Sequence, residues 1–261
     1  MSQFLANAVD GYLPSTSNNE GQMIPGAKEI IFAQDRWDPN VDFNWSEIKE
    51  IWLSHLQQSQ KNIFIEASPP NIMRLESIKR SFANEMAGMI SISSPYMQIS
   101  SEIKKKYHKL IGRKKLLQSD QIPAKLIQNA AAKWVHMAQA QRRNIESNPS
   151  IPFVTYEQFC SNPEEVIKAF HRETNIPTRE STTPKVQGKK ETGITDIMDM
   201  TCKNLSFLSF KEIGRLTSIL APHEKLLHYF NYHLLGTRDI VQMYDDNMPL
   251  VIDGMHSRLH R

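Results

Sequence analysis

Residues 88–95, GMISISSP, contain a short run of β-branched residues that stops at a Ser-Pro pair. Such a run predicts a buried strand. Two further runs have the same character: NIFIEA at 62–67, which stops at Ser-Pro-Pro, and PFVTYE at 152–157. Longer segments with helical spacing of apolar residues separate them, as over 44–58 and 122–146. Alternation of short strands with longer helices predicts an α/β fold with a mainly parallel sheet.

Start signals define several of the predicted helices. Asn44 is expected to cap the helix over 44–58, and Asn71 is expected to open the helix that follows Ser-Pro-Pro. Pro163, followed by two glutamates, is typical of a first helical turn. The stretch FKEIGRLTSILAPHEKLLHYFNY predicts two closing helices broken at Pro222.

Composition indicates an ordinary globular chain. Of the 261 residues 40% are apolar and 23% are charged, which excludes disordered, collagen-like and membrane-embedded classes. The net charge of +3 is too small to indicate nucleic-acid binding. Cys160 and Cys202 fit reduced thiols better than one disulfide, and the first residues lack a signal-peptide pattern. We therefore expect one cytoplasmic domain over 1–261, without membrane, metal or nucleic-acid partners; the sequence does not define its oligomeric state.

Several motifs, in a consistent order, carry a family resemblance. The segment 66–71, EASPPN, resembles the PAPS-dependent sulfotransferase family. PAPS is 3′-phosphoadenosine 5′-phosphosulfate, the sulfuryl donor. The segment 28–32 resembles a Lys-Glu segment of that family, and 93–101 resembles its 3′-phosphate site. Trp134 and the Tyr-Glu pair at 156–157 also match, so that the resemblance extends over about 27–235.

The resemblance implies a fold and an activity. The fold would be a P-loop-kinase-like three-layer arrangement, with a mainly parallel central sheet surrounded by helices. This sequence does not contain the family's first strand or its Gly/Ser/Thr-rich donor loop, and its opening residues MSQFLANAV resemble the later turns of the next helix. We favour an N-terminal segment outside this sequence over a protein without a donor loop. The implied activity is sulfuryl transfer from PAPS to a hydroxyl group of a sugar or small metabolite.

Two positions depart from the family pattern. Ser93 stands where the family has an Arg, and Ala67 stands where it commonly has a Lys. Loss of charged hydrogen bonds to a phosphate costs about 1.5–3 kcal/mol each. These departures raise the alternative of a non-catalytic sulfotransferase-fold protein that binds a glycan or a protein.

Two carboxylates are the candidate catalytic residues. The resemblance gives Glu29 the position of the general base that removes the acceptor hydroxyl proton; the alternative is a solvated loop carboxylate. Glu66, at the end of a predicted strand, is either a second carboxylate of the cleft or a group that accepts hydrogen bonds from the next helix.

Four residues are the candidate donor-binding set. Ser93 and Ser101 correspond to the 3′-phosphate site, although Ser101 could instead cap a helix that begins at Glu102. Lys189 and Lys190 resemble a basic loop that closes on the adenosine phosphate, with a plain loop as the alternative. The basic run over 104–115 is either a solvated helix face or a surface that binds anions.

Overall fold

The computed structural model describes residues 1–16, 19–112, 122–179, 185–187 and 194–259. Over these ranges the chain is mostly helical, with a small two-stranded parallel sheet. This composition agrees with the α/β class in its coarse form. The helices and strands, in chain order, are α1 (Ser2–Ala8), α2 (Ala27–Phe32), α3 (Trp45–Gln58), α4 (Leu75–Phe82), β1 (Ile90–Ile92), α5 (Pro95–Gly112), α6 (Ala124–Ser147), β2 (Phe153–Thr155), α7 (Tyr156–Ser161), α8 (Pro163–Thr174), β3 (Lys185–Gln187), β4 (Ile194–Asp196), α9 (Thr201–Leu205), α10 (Phe210–Leu220), α11 (Glu224–Tyr229), α12 (Thr237–Asp246) and α13 (Met248–Leu259).

Strands β1 and β2 form the parallel sheet, and they are two of the three strands that the sequence predicts. The Ile90 N–H donates to the Pro152 carbonyl oxygen at 2.9 Å. Helices α5 and α6 lie between these strands in the chain, as a parallel connection requires. Strands β3 and β4 pair antiparallel, with Val186 opposite Thr195.

The strand predicted over 62–67 is reduced to a single parallel bridge between Tyr12 and Phe64. The Tyr12 N–H donates to the Ile63 carbonyl at 2.7 Å, and the Ile65 N–H donates to the Tyr12 carbonyl at 2.8 Å. The next donor in a parallel ladder would be residue 14. Because Pro14 has no N–H, the ladder ends there.

The observed helix starts agree with the predicted ones where the start signal lies within the first turn of the helix. The Asn44 side chain accepts from the Glu47 N–H at 3.4 Å, which confirms the predicted cap of α3. Pro163 opens α8 as predicted. The helix expected at Asn71 differs: Pro69–Met73 form a 3-10 turn, and α4 begins only at Leu75.

The chain divides into two compact units. The first comprises Met1–Ile90, Arg143–Val154 and Gln158–Ile197, and the second comprises Ser91–Arg142, Thr155–Glu157 and Met198–Arg261. In the first unit, Trp52 of α3 stacks on Phe64 and Phe82, with ring centroids 5.1 and 5.8 Å apart. Aromatic packing therefore joins α3 to the end of α4 and to the segment before Glu66.

The second unit has its own core. Ile103 of α5 and Ile127 and Trp134 of α6 are fully or nearly fully buried, in agreement with the predicted apolar face of the long helix. Helix α9 lies against both α5 and α13. The sequence predicts no helix after the two closing helices that are broken at Pro222, and α12 and α13 lie in this later part of the chain. Cys202 of α9 is a free thiol, and its burial raises the pKa to about 11.

Candidate functional site

Glu66 follows the Tyr12–Phe64 bridge in the first unit, where Ser-Pro-Pro turns the chain into the 3-10 helix. Its Oε1 atom accepts from the Ser68 N–H at 2.8 Å and from the Asn71 Nδ2 at 3.1 Å. One carboxylate oxygen therefore satisfies the start of the next helix, which was one of the two roles predicted for it.

The second oxygen, Oε2, is buried without a hydrogen-bond partner among the described residues. It faces Gly21, where an added Cβ atom would collide with it, so a larger residue there would displace the carboxylate. Burial raises the pKa of the Glu66 carboxyl, and the polar groups of Ser68, Gly21 and Asn71 oppose this rise only in part. A carboxylate with a raised pKa has the proton affinity that a general base needs.

A buried polar network surrounds Glu66. Gln22, which is fully buried, donates from Nε2 to the Asn71 Oδ1 at 2.5 Å and from its backbone N–H to the Ser68 Oγ at 3.4 Å. Arg36 pairs with the buried Glu20 at 3.0 Å. The sequence did not identify Gln22 as part of a site, because its partner Ser68 lies 46 residues further along the chain.

Glu29 lies elsewhere in the first unit, in the first turn of α2. Its carboxylate is exposed and accepts a hydrogen bond from the Gly26 N–H, which completes the start of the helix. Gly26 has a φ of +87°, a conformation that favours glycine. Glu29 is therefore a carboxylate that caps a helix, and not the solvated loop carboxylate that was the expected alternative. Its catalytic role stays a prediction.

Ser93 ends β1 in the second unit. Its carbonyl oxygen accepts from the Trp134 Nε1 at 3.2 Å, and its Oγ donates to the Gln98 Oε1 at 3.1 Å. The next residue, Ser94, caps α5: its Oγ accepts from the Met97 N–H at 3.1 Å. The α5 helix therefore begins at Pro95, directly after the strand.

Glu157 contacts the same turn. Its Oε1 accepts from the Ser94 N–H at 3.0 Å, and its Oε2 accepts from the Tyr232 hydroxyl at 2.7 Å. Burial and the adjacent carboxylate both raise the pKa of Tyr232. In the sequence, Glu157 is part of the resemblance without an assigned role, and no local signal pairs it with Tyr232, which lies 75 residues away.

Ser101 is inside α5 and not at its start, so the prediction that it caps a helix beginning at Glu102 is wrong. The true cap, Ser94, lies seven positions earlier. The neighbouring Ser100 is fully buried, and its Oγ has no hydrogen-bond partner in the described part of the chain. Ser93 therefore lies just before α5, and Ser101 lies in its second turn.

The basic candidates are described only in part. Lys189 and Lys190 lie outside the described residues, as do the last positions of the basic run, 113–115. Within α5, Lys106 pairs with Glu102 at 2.6 Å, whereas Lys105 and Lys109 are exposed. The described half of the run is therefore a partly paired helix face.

Comparisons of the chain with protein-family models, with curated proteins and with solved structures gave no match. Within the described ranges, no group of three or more His, Cys, Asp or Glu side chains is placed to hold a metal ion. None of the helices in these ranges combines the length and apolar character that a bilayer-spanning segment requires. The arrangements around Glu66 and around Ser93 are therefore the observations that bear on function.

Proposed function

We propose that the chain is a sulfotransferase-like protein that transfers a sulfuryl group from PAPS to a hydroxyl group of a sugar or small metabolite. The observation that supports this most directly is the β1–Ser93–α5 connection, in which a capped helix start follows the carboxyl end of a parallel strand. Ligands of α/β proteins bind at such strand ends, and helix starts favour phosphate. Together with this activity we propose a P-loop-kinase-like three-layer fold.

In the proposed donor complex, the 3′-phosphate binds beside the start of α5. Ser93 and Ser101 would donate hydroxyl hydrogen bonds to it. The Ser93 hydroxyl would exchange its hydrogen bond to Gln98 for one to the phosphate. The phosphate would also compete with Glu157 for the Ser94 N–H. Both exchanges predict weak donor binding, consistent with the absence of an Arg at position 93.

The proposed chemistry is in-line attack at sulfur. The acceptor oxygen forms a bond to sulfur while the bond between sulfur and the donor's 5′-phosphate oxygen breaks, releasing 3′-phosphoadenosine 5′-phosphate. The acceptor proton passes to a carboxylate. Glu66 is the better candidate because its pKa is raised, whereas Glu29 already caps α2. A general base contributes about 10²–10⁴-fold to rate, which is the loss expected for Glu66→Gln.

Titration calorimetry with 3′-phosphoadenosine 5′-phosphate tests donor binding. We expect Ser93→Arg to tighten binding by about 10- to 100-fold, because a guanidinium adds a bidentate, charge-assisted contact. Ser218→Arg, at an exposed serine of α10, is the matched control and should leave the affinity unchanged. If neither the natural chain nor Ser93→Arg binds at millimolar ligand, donor binding at this turn is ruled out.

One observation favours a second candidate function, a non-catalytic protein of the same fold. The carboxylate of Glu157 contacts the Ser94 N–H just before α5, where a donor phosphate would otherwise bind. A negative charge at this point disfavours an anion. The calorimetric titration separates the two candidates, because a non-catalytic protein should bind an acceptor-type glycan or a protein without binding the nucleotide.

A further inference from the structure

Two side-chain amides lie between a cation and the Glu66 carboxylate in the first unit. Arg36 pairs with Glu20, and its Nη1 atom also lies 3.5 Å from the Oε1 atom of Gln22. Gln22 donates from Nε2 to the Asn71 Oδ1, and Asn71 donates from Nδ2 to the Glu66 Oε1. A continuous line of hydrogen bonds therefore runs from the guanidinium to the carboxylate. We call this line the amide chain.

The direction of the amide chain is fixed at its first member. A guanidinium has donors and no acceptor, so the atom of Gln22 that faces Arg36 is the carbonyl oxygen. The amide nitrogen of Gln22 then faces Asn71, where only an oxygen can accept from it. The remaining group of Asn71 is its NH2, which therefore faces Glu66. Reversal of either amide would bring two donors together.

Gln22 also contacts the other residue that holds the Oε1 atom of Glu66. The Gln22 backbone N–H donates to the Ser68 Oγ at 3.4 Å, and the Ser68 N–H donates to the Glu66 Oε1. Both hydrogen-bond donors to this oxygen therefore belong to residues that contact Gln22. Because Gln22 is fully buried, its side chain is held within this network.

The orientation of the Asn71 amide acts directly on the protonation of Glu66. An NH2 group that faces Oε1 stabilises the ionised carboxylate. A reversed Asn71 would present its carbonyl oxygen and would favour the protonated carboxyl, which cannot accept another proton. After burial, the groups that act on this carboxyl belong to Ser68, Gly21 and Asn71, and all three are uncharged. The direction of one amide dipole is therefore a main influence on Glu66.

We propose that Gln22 is a positioning residue for Glu66: it holds the Asn71 amide with its NH2 group toward the carboxylate, and so keeps Glu66 in the form that accepts a proton. The orientation of Asn71 and its effect on Glu66 do not depend on any substrate. The catalytic consequence rests on the proposed function, in which Glu66 takes the proton of the acceptor hydroxyl.

NMR of the Glu66 side-chain carboxyl carbon tests the proposal in the full chain, with the signal assigned by its loss in Glu66→Gln. Gln22→Met preserves the length of the side chain and removes the amide. We expect it to shift the Glu66 titration to higher pH, because Asn71 is no longer held as a donor. Gln141→Met is the matched control, since Gln141 is a buried glutamine that donates to the Ser91 carbonyl oxygen. It should leave the titration unchanged.

Two further measurements follow the same amide. Gln22→Glu should shift the Glu66 titration further than Gln22→Met does. The new carboxylate accepts from Arg36 and from the Asn71 NH2, which turns the Asn71 oxygen toward Glu66, and its charge acts in the same direction. In the natural chain, the Asn71 NH2 signals should move with the Glu66 titration, since the two groups are hydrogen-bonded. This last measurement needs no substitution and decides the question even where a variant fails to fold.

Three outcomes would overturn the proposal. The first is a folded Gln22→Met variant that titrates at the pH of the natural chain. The second is a set of Asn71 NH2 signals that stay constant while Glu66 titrates. The third is an equal shift in Gln141→Met, because the effect would then follow from the loss of any buried hydrogen bond.

A sulfuryl-transfer assay separates this inference from the proposed function. In Gln22→Met, the acidic limb of the pH–rate profile should move to higher pH together with the Glu66 titration. A natural chain that transfers no sulfuryl group at any pH contradicts the proposed function, whereas the titration alone decides the role of Gln22.

Discussion

Glu66 uses its two carboxylate oxygens differently. Oε1 accepts hydrogen bonds from Ser68 and Asn71, whereas Oε2 is buried against Gly21 and has no hydrogen-bond partner in the described part of the chain. A buried oxygen without a hydrogen bond is costly, because its interaction with water is lost and not replaced. Such a cost is tolerated most readily where the group has a function, and this is why Glu66 is the stronger candidate for the general base.

The raised pKa of Glu66 predicts a specific pH dependence of stability. Since the folded state disfavours the ionised carboxyl, the associated stability is present below the ordinary pKa of 4.5 and is lost as the pH rises through the raised value. Each unit of pKa difference corresponds to about 1.4 kcal/mol. In Glu66→Gln this loss should disappear. As the pH rises, the free energy of unfolding of the variant should therefore increase relative to that of the natural chain.

Urea unfolding at a series of pH values measures this difference. Curves for Glu66→Gln and the natural chain that run parallel from pH 4.5 upward would contradict a raised pKa.

The serines of 93–101 show which residue-scale conclusions a sequence permits. The spacing alone singles out Ser93 and Ser101, yet the cap of α5 is Ser94. Cap formation depends on where the helix begins, and Pro95 directly after β1 sets this start. Ser100, which the spacing ranks lower than Ser101, is the fully buried one. Burial depends on helix rotation against neighbouring elements, which local sequence does not specify.

At the scale of elements, the contact between α9 and α13 depends on one glycine. Gly254→Ala would insert a Cβ atom 2.3 Å from the Lys203 carbonyl oxygen, and a backbone atom cannot move away as a flexible side chain can. Overpacking of this kind costs about 1–3 kcal/mol. Thermal and urea unfolding should therefore show a clear destabilisation.

Gly214→Ala is the matched control, because Gly214 is an exposed glycine inside α10 with no atom within 4 Å of an added Cβ. There the substitution should stabilise the chain by up to about 1 kcal/mol, through better helix propensity. Equal effects of the two substitutions would show that the packing of α13 on α9 is not tight.

Helices and strands are predicted correctly where the signal is local, and incorrectly where their formation depends on a distant segment of the chain. Asn44 and Pro163 mark helix starts correctly, because a cap needs only residues within one turn. NIFIEA at 62–67 has the composition of a strand, but its neighbour ends in Pro14 and the pairing stops after one bridge. A strand exists only with a partner, and the partner here is about 50 residues distant in the chain.

At the scale of the whole molecule, donor binding should stabilise the folded chain. A ligand that binds only the folded state, at 100 times its dissociation constant, adds about 2.7 kcal/mol to the free energy of unfolding. A thermal-shift titration with 3′-phosphoadenosine 5′-phosphate should therefore raise the melting temperature, and hydrogen exchange should show increased protection over 91–101. The ligand should raise the melting temperature of the Ser218→Arg variant by the same amount as that of the natural chain. No shift at millimolar ligand would contradict the proposed donor site.

The sequence by itself determined several of the longer helical segments, two of the three strands that it predicts, several helix starts and the ordered motifs from which the proposed function derives. These features depend on interactions between residues that are close in the chain. Only the tertiary structure decided that Glu66 keeps one oxygen without a hydrogen-bond partner in the described part of the chain, that Glu157 meets Tyr232, and that α13 turns an apolar face outward. Each of these depends on which distant segments come together, because burial and unmet hydrogen bonds are properties of packing and not of local sequence.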